Sequence, residues 1–233
     1  MSEMYTKHAS KYAEVVKDNI YNALLERPST LSLLDDVKGL KVLDLGCGPG
    51  EYAQWFMEQS VAELTCTDLS EEMVSLVTER FGSKINAYSQ DLAIGLPNEL
   101  DQSIDVIVCP LVLHYIEDLT PVFKEVQRVL KPGGYMVFST HHPFADFECS
   151  INGNYFSREF IQEEWNTIGE PVQVSFYRRS LTEICNAIAA SGLVISRITE
   201  GEVDERVREL DEDSYNHLKN NPNFIFVRCD KPA

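Results

Sequence analysis

Apolar runs and amphipathic segments alternate between residues 40 and 140, and this rhythm restricts the fold more than any other feature. The predicted strands cover 40–45, 62–67, 84–89, 104–109 and 135–140. Predicted helices lie between them at 51–59, from residue 70 onwards and at 119–130. Nearly continuous apolar strands are typical of a parallel sheet covered on both faces. Strand–helix alternation favours right-handed βαβ units, so the chain is predicted to form a doubly wound α/β sheet.

The segments that flank this core are predicted to cover it. Residues 10–26 carry apolar side chains at helical spacing, 27–29 would break that helix, and 30–37 form a shorter one. We therefore expect an N-terminal helical cap over 1–38. Residues 141–178 interrupt the rhythm, are rich in aromatic residues, and are too long for an ordinary connection. We interpret them as an inserted substrate lid.

The remaining sequence completes a single domain over 1–233. A helix at 181–191 and a strand at 193–199 resume the alternation. An acidic segment follows, and the last predicted strand covers 224–229.

The charge balance argues against a nucleic-acid partner. The chain has 20 Lys and Arg residues against 37 Asp and Glu residues, a formal net charge of -17. Nucleic-acid affinity comes largely from basic side chains that neutralise phosphates, and no basic cluster is present. Such acidity favours solubility.

The cysteines and the apolar runs predict a cytoplasmic protein. None of the six cysteines stands in a C-x-x-C pair, which argues against a zinc or redox motif and suits a reducing compartment. The first ten residues are polar, which predicts no signal peptide. No apolar run approaches the roughly 20 residues that span a bilayer, so no membrane insertion is expected.

A glycine-rich turn lies between the first predicted strand and the next helix. Residues 43–50 read Leu-Asp-Leu-Gly-Cys-Gly-Pro-Gly. Glycines let the backbone turn sharply and let a ligand approach it closely. The dinucleotide pattern G-x-G-x-x-G fails, because its third glycine would be Glu51 counted from Gly46, and Ala53 counted from Gly48. Asp44 places a negative charge beside this turn, which suits a cationic ligand better than a pyrophosphate.

This turn resembles the first motif of class I S-adenosylmethionine-dependent methyltransferases, of the ubiquinone/menaquinone-biosynthesis-like small-molecule group. Further matches follow in the right order, strongly over about 40–140 and loosely elsewhere. They are Cys-Thr-Asp-Leu-Ser at 66–70, Gln-Asp-Leu at 90–92, Asp-Val-Ile-Val at 105–108 with Leu-Val-Leu-His-Tyr at 111–115, and Arg-Val-Leu-Lys-Pro-Gly-Gly at 128–134.

The resemblance implies a Rossmann-like, seven-stranded, mostly parallel sheet in the order 3-2-1-4-5-7-6, with strand 7 antiparallel. It implies S-adenosylmethionine as the cofactor, with Asp68 on the ribose hydroxyls and Asp91 on the adenine amino group. A carboxylate can accept both hydroxyls of a diol, which agrees with the first role. Helix capping and turn formation are the alternative roles of these two residues.

The cofactor-binding candidates share the loops that follow the first four predicted strands, together with two tyrosines of the N-terminal helix. Those tyrosines either close over the methionine end of the cofactor or belong to the buried apolar face of that helix. The candidates are Asp44, Gly46, Cys47, Gly48, Asp68, Leu69, Met73, Asp91, Leu92, Leu111, Tyr12 and Tyr21.

The acceptor side is predicted where the insertion meets the sheet. His141 and His142 directly follow the fifth strand, and either is a candidate general base or a loop and cap residue. His114, after the fourth strand, borders the cofactor or acceptor, or is a half-buried packing residue. Aromatic residues of the insertion form a lid over a ring-bearing acceptor, or pack among themselves. The further substrate candidates are Tyr155, Trp165, Phe176, Tyr177 and Arg178.

Two further points bear on the acceptor site. Arg178 and Arg179 could hold an acidic group of the acceptor, or form a solvated or salt-bridged pair. The spacing of His141, His142, Asp146 and Glu148 fits no strong metal pattern, and no metal is expected.

The sequence thus predicts in-line methyl transfer to a small-molecule acceptor, whose reacting atom (oxygen, nitrogen, carbon or sulfur) stays open. A catalytically silent S-adenosylmethionine-binding regulatory or interaction protein is the alternative. A nicotinamide oxidoreductase is disfavoured by the glycine spacing. We expect a monomer or a homodimer.

Overall fold

The computed structural model describes residues 2–233, and its centre is a seven-stranded sheet. Seven of the nine strands belong to this sheet and two form a separate hairpin. The strands are β1 (Lys41–Leu45), β2 (Glu63–Asp68), β3 (Asn86–Ser89), β4 (Ile104–Pro110), β5 (Leu130–His141), β6 (Glu159–Trp165), β7 (Val172–Arg178), β8 (Val194–Thr199) and β9 (Phe224–Asp230).

The sheet has the order β3-β2-β1-β4-β5-β9-β8. The pairs from β3 to β5 are all parallel, whereas β9 runs antiparallel to both β5 and β8. Because β8 and β9 are the sixth and seventh predicted strands, the order 3-2-1-4-5-7-6 with an antiparallel seventh strand is confirmed.

Helices cover both faces of the sheet. Phe123 and Ile188 belong to the core between the sheet and one helical layer, and Phe56 and Tyr215 belong to the core on the opposite face. The α-helices are α1 (Ala9–Val15), α2 (Arg27–Leu31), α3 (Glu51–Glu58), α4 (Glu71–Phe81), α5 (Leu119–Val129), α6 (Pro143–Asp146), α7 (Leu181–Ser191), α8 (Arg206–Leu210) and α9 (Glu212–Asn220). No helix among residues 2–233 is long and apolar enough to cross a membrane.

The N-terminal segment departs from the single helix predicted over 10–26. Helix α1 ends at Val15, and the side chain of Asn19 then accepts hydrogen bonds from the backbone N–H groups of Asn22 and Ala23 at 2.8 and 3.3 Å. Asparagine favours such capping over a helix interior, so it starts a new turn. That turn is a π-helix over Asn22–Glu26.

The predicted break at 27–29 and helix at 30–37 are also wrong. Helix α2 covers Arg27–Leu31 and continues directly from the π-helix, with Pro28 in its first turn. Proline is tolerated there because the first N–H groups of a helix lack intrahelical partners.

Strand β5 is longer than the 135–140 predicted. It begins at Leu130, pairs there with Ile104, and crosses the turn-like sequence 131–134 with a register shift before Val106 meets Tyr135. The helix predicted over 119–130 ends at Val129, and the two glycines after it lie at an irregularity within the strand.

The insertion contains a β-hairpin that the sequence analysis did not predict. Helix α6 and a 3-10 turn (Phe147–Cys149) lead to β6 and β7, which pair antiparallel. The N-terminal segment packs against this hairpin. The Ser2 hydroxyl donates to the Gln173 carbonyl at 2.7 Å, and Lys11 pairs with Glu170 at 2.8 Å.

Candidate active site

A single large cavity opens at the carboxyl ends of the parallel strands. Its volume is about 1920 Å³, and its walls are the loops after β1 to β5, the N-terminal segment and the hairpin. Ligands of open α/β sheets bind at this edge. Typical small-ligand pockets occupy roughly 300–1,000 Å³, so this cavity has room for two ligands side by side.

The glycine turn forms the floor of the cavity at the end of β1. Gly46 has φ +76°, and a Cβ there would lie 2.1 Å from a methyl carbon of Val112. Gly48 has φ +52° and no atom within 4 Å of where its Cβ would be. Side chains other than glycine's rarely adopt such backbone angles. The turn is therefore tight on its sheet side and open towards the cavity.

Asp44 directly precedes this turn and is fully buried. Neither of its carboxylate oxygens has a hydrogen-bond partner. Burial raises the pKa of Asp44 well above its usual range, and the negative charges of Asp68 and Glu26 raise it further. Buried polar groups are almost always paired. Asp44 is not among the residues that line the cavity, so it is a buried, unpaired carboxyl group behind the glycine turn.

Asp68 and Asp91 lie at the ends of β2 and just beyond β3, and both line the cavity. The carboxylate of Asp68 accepts from the backbone N–H groups of Gly48 and Ser70, each at 2.9 Å. That of Asp91 accepts from the N–H of Ala93 at 2.9 Å. These bonds fix both carboxylates, and each oxygen keeps a further lone pair for a ligand. The capping role and the binding role are therefore compatible.

The other predicted cofactor residues also border the cavity. Leu111 stands out because it adopts φ +53°, a strained backbone conformation for a leucine, directly after β4. Its N–H donates to the carbonyl and the hydroxyl of Ser139, each at 3.0 Å. The residues that border the cavity are Tyr12, Tyr21, Gly46, Cys47, Gly48, Leu69, Met73, Leu92 and Leu111.

Glu26 is a cavity residue that the sequence analysis missed. It ends the π-helix, is buried, and accepts from Thr30, Tyr52 and Ser139 at 2.8, 2.9 and 2.6 Å. Burial raises the pKa of Glu26, although these hydrogen bonds partly lower it. The residue reads as part of an amphipathic helix in the sequence, and only the π turn places it beside the sheet. Single π turns occur often at functional sites.

Two histidine rings stack at the acceptor end of the cavity. The rings of His114 and His141 are 3.8 Å apart and 14° from parallel. His141 Nδ1 lies 3.2 Å from Asp146 Oδ1, and His114 Nδ1 lies 3.3 Å from the Thr140 hydroxyl. Burial lowers the pKa of His114 well below its usual value, and the neighbouring His141 and Arg179 lower it further. His114 is therefore neutral near pH 7.

His142 does not reach the cavity. Its Nδ1 accepts from the N–H of Phe144 at 3.1 Å and caps α6. His142 therefore occupies the capping role that was its alternative, and its side chain does not line the cavity in which a general base would act.

The aromatic residues of the insertion divide into two groups. Trp165 and Tyr177 line the cavity, and the indole ring lies 5.6 Å from His141. Phe176 is buried behind His141, with ring centroids 4.9 Å apart. The Tyr155 hydroxyl accepts from the N–H of Leu181 at 3.0 Å, away from the cavity wall. Phe176 and Tyr155 thus support the site instead of touching an acceptor.

Arg178 and Arg179 also lie outside the cavity. Arg178 is fully buried, pairs with Glu159 at 2.5 Å and donates to the Asn154 carbonyl. Arg179 is buried too, donates to the Ile116 carbonyl and lies 3.5 Å from Glu183. Both arginines thus lie beside a carboxylate inside the protein. The geometry therefore gives no support to a role in holding an acidic acceptor group.

Tyr5 and Tyr115 meet at the wall of the cavity, in a pairing that the sequence analysis did not predict. Their hydroxyls are hydrogen-bonded at 2.7 Å, and Tyr5 also packs edge-on against Tyr12. The contact joins the N-terminal segment to the loop after β4.

The sheet order, the glycine turn and the acidic residues at successive strand ends define a class I methyltransferase of the Rossmann-like type. Residues 43–138 match the family model described as a methyltransferase domain. The chain is a class I S-adenosylmethionine-dependent methyltransferase, and S-adenosylmethionine is its cofactor.

Individual relatives and a solved structure resemble this chain over different lengths. An uncharacterized protein of Haemophilus influenzae is 28% identical, over 90% of this chain and 88% of its own length. A ubiquinone biosynthesis O-methyltransferase of Pseudomonas fluorescens is 33% identical, over 56% of this chain and 59% of its own length. The crystal structure of an S-adenosylmethionine-dependent methyltransferase from Mesorhizobium loti superposes with a TM-score of 0.71 at 25% identity, covering 92% of this chain and 99% of that one. The chain spans 48% to 59% of the length of the curated relatives that are named as methyltransferases.

Proposed function

We propose that this methyltransferase acts on a small-molecule acceptor, which binds between the glycine turn and the β6–β7 hairpin. One observation carries the proposal. The cavity has room for two ligands, with a glycine turn at one end and the His141–Asp146 pair at the other.

The residues of the first end fit the cofactor. Asp68 is placed to accept the two ribose hydroxyls, and the open side of Gly48 leaves space for the ligand against the backbone. Asp44 and Glu26 would add negative charge near this end of the cavity. That charge would compensate a bound cation for the loss of its hydration. When bound, S-adenosylmethionine supplies a methyl group on a positively charged sulfur, which becomes a neutral thioether on transfer.

The residues of the second end would orient the acceptor and manage its proton. The acceptor atom gains the methyl group and loses a proton, which His141 accepts and then releases to solvent. Asp146 Oδ1 lies 3.2 Å from Nδ1 without a hydrogen bond in this structure, and its negative charge would stabilise the ring once His141 has accepted the proton. General-base catalysis contributes about 10²–10⁴-fold in rate. Alignment of the two ligands supplies up to roughly 7–11 kcal/mol.

The N-terminal segment and the hairpin would together exclude water. The buried side chains of Met4, Ile168, Val172 and Val174 form one apolar cluster across this junction. We therefore assign residues 141–178 a lid role, shared with the N-terminal cap. Closing a site in this way strengthens the electrostatic interactions inside it.

The six free cysteines support a reducing compartment, and we infer that the protein works in the cytoplasm.

Two measurements test the proposal. Isothermal titration with S-adenosylmethionine and with its demethylated product should show one site per chain. Tritiated-methyl transfer should then label the small-molecule fraction of a cell extract and leave protein and nucleic acid unlabelled. A His141→Gln variant that keeps cofactor binding is the matched control. Label that appears only in macromolecules would contradict the small-molecule assignment.

A further inference from the structure

The cavity is strongly acidic. Nine carboxyl side chains line it, whereas Arg27 is its only Lys or Arg among residues 2–233. The nine are Glu3, Glu26, Glu51, Asp68, Asp91, Glu117, Asp146, Glu148 and Glu164.

The single arginine is already engaged. Two nitrogens of the Arg27 guanidinium donate to the carbonyls of Val16 and Lys17 at 2.8 and 3.5 Å, and one lies 4.0 Å from Glu51. It belongs to the N-terminal cap, near the glycine turn, and its hydrogen bonds tie the cap together. Its Nε has no partner among residues 2–233, but the side chain lies beside Glu51 at the glycine-turn end of the cavity and not beside Trp165 and Tyr177.

The acceptor end combines carboxylates with aromatic faces. Asp146, Glu148 and Glu164 line it together with Trp165 and Tyr177. Glu148 and Glu164 line the cavity and are exposed to solvent, and the Glu164 carboxylate accepts from a neutral amide, that of Gln173, at 3.4 Å.

A second arginine, Arg179, lies behind this wall and outside the cavity. Arg179 is buried beside His114 and Tyr177. The carboxylate of Glu183 lies 3.5 Å from it, and burial lowers the pKa of Arg179 to about 10. Its charge is therefore offset from within the protein, partly by Asp146, and it is not presented to the cavity.

This arrangement discriminates between acceptors by charge. An anionic group placed here would be desolvated beside carboxylates with no cationic partner, which is strongly unfavourable. A protonated amine would meet carboxylates and aromatic faces, the two kinds of group that stabilise a desolvated cation.

We infer that the acceptor carries a basic nitrogen on a ring-bearing body and binds as a cation. Glu148 and Glu164 attract the ammonium group, and Trp165 and Tyr177 pack against the ring. This inference rests on the proposed function, because it assigns the acceptor class of the same cavity.

The test uses ligands that share a ring and differ in charge. Tyramine, 4-hydroxyphenylethanol and 4-hydroxyphenylacetate form one series, and tryptamine, tryptophol and indole-3-acetate form the other. Each is titrated into the protein saturated with demethylated cofactor, with binding followed by calorimetry or ligand-observed NMR. In at least one series the amine should bind about tenfold more tightly than the alcohol, and the acid most weakly.

Matched variants locate the selectivity. Glu164→Gln should weaken amine binding about fivefold and leave alcohol binding unchanged, because only a charge is removed. Glu79→Gln, which removes an equal charge on α4 outside the cavity, should change neither.

The inference is overturned if the acid or the alcohol binds as tightly as the amine in both series. It is overturned equally if neither amine binds at millimolar concentration, or if Glu164→Gln leaves amine selectivity intact. Failure of the proposed function is a separate result, because it would show as absent cofactor binding or absent small-molecule labelling.

Discussion

Replacing Asp44 by asparagine should stabilise the free protein and weaken its hold on the cofactor. The side chain is fully buried and both of its oxygens lack partners. Such a carboxyl group has a raised pKa in the folded state, so it costs stability at every pH above its unfolded value. Asparagine keeps the shape of the side chain and replaces its ionisable carboxyl group with a neutral amide.

The size of the gain follows from the cost of an unsatisfied buried group, about 1–3 kcal/mol and more when it is charged. The amide stays unpartnered, so only the extra cost of the buried ionisable group is removed, and we expect a gain of about 1–3 kcal/mol at pH 7. Each kcal/mol raises the melting temperature by about 2–4 °C in a chain of this size. The gain should shrink as the pH falls below about 4, where the carboxyl group becomes protonated in the unfolded state as well.

The same substitution should lower the affinity for the cofactor while it raises the stability of the free protein. Loss of a buried negative charge near a cationic ligand should weaken S-adenosylmethionine binding about 10–100-fold, equivalent to roughly 1.4–2.7 kcal/mol. Thermal unfolding without ligand and isothermal titration with it measure the two effects on one sample.

Asp105→Asn is the matched control at the other end of the sheet. Its carboxylate accepts from Lys131 and from the backbone N–H of Lys41, at 2.7 and 2.9 Å. That variant should lose stability and keep its cofactor affinity. If Asp44→Asn lowers both stability and affinity, or leaves affinity unchanged, then Asp44 is structural and the reasoning about the turn is refuted.

Three further predictions address the two ends of the cavity. His141→Gln should lower the turnover rate about 10²–10⁴-fold with cofactor binding intact, and Asp146→Asn should cause a smaller loss. Both rates are measured with the labelled acceptor. Equal rates in wild type and His141→Gln would exclude His141 as a general base. Because burial lowers the pKa of His114, the stability it contributes is present above its unfolded pKa of about 6.5 and is lost as the pH falls towards the folded value. Melting temperatures should therefore drop with acidification below about pH 6.5, and a His114→Gln variant with the same slope would show that another group titrates. Gly46→Ala should lower the free energy of unfolding, measured in urea, by about 1–3 kcal/mol. Adding Val112→Ala should recover only the steric part of that loss, since φ +76° stays unfavourable for alanine. Full recovery would mean that backbone strain contributes nothing.

The sheet was predictable because the sequence pattern of each strand and turn is local and can be recognised without tertiary contacts. The apolar run around Val106 to Cys109 and the glycine turn after Asp44 reveal a parallel strand and a strand-to-helix connection without any tertiary information. The acidic residues at strand ends were predictable for the same reason, since parallel strands bring their carboxyl ends to one edge.

The N-terminal cap and the lid were less predictable because long-range contacts decide them. Glu26 reaches the sheet only through a π turn that its helical spacing does not reveal. The stripe that predicted one long helix was interrupted by the side-chain cap of Asn19. The choice between His141 and His142 depended on a loop geometry in which one ring meets Asp146 and the other caps α6.

A crystal structure with the demethylated cofactor bound tests the central claim most directly. We predict that the ribose hydroxyls lie within hydrogen-bond distance of the Asp68 carboxylate, against the Gly48 backbone. The sulfur should face the end of the cavity that holds His141, Asp146 and the β6–β7 hairpin. A cofactor bound elsewhere, or a sulfur turned away from His141, would contradict the proposed site.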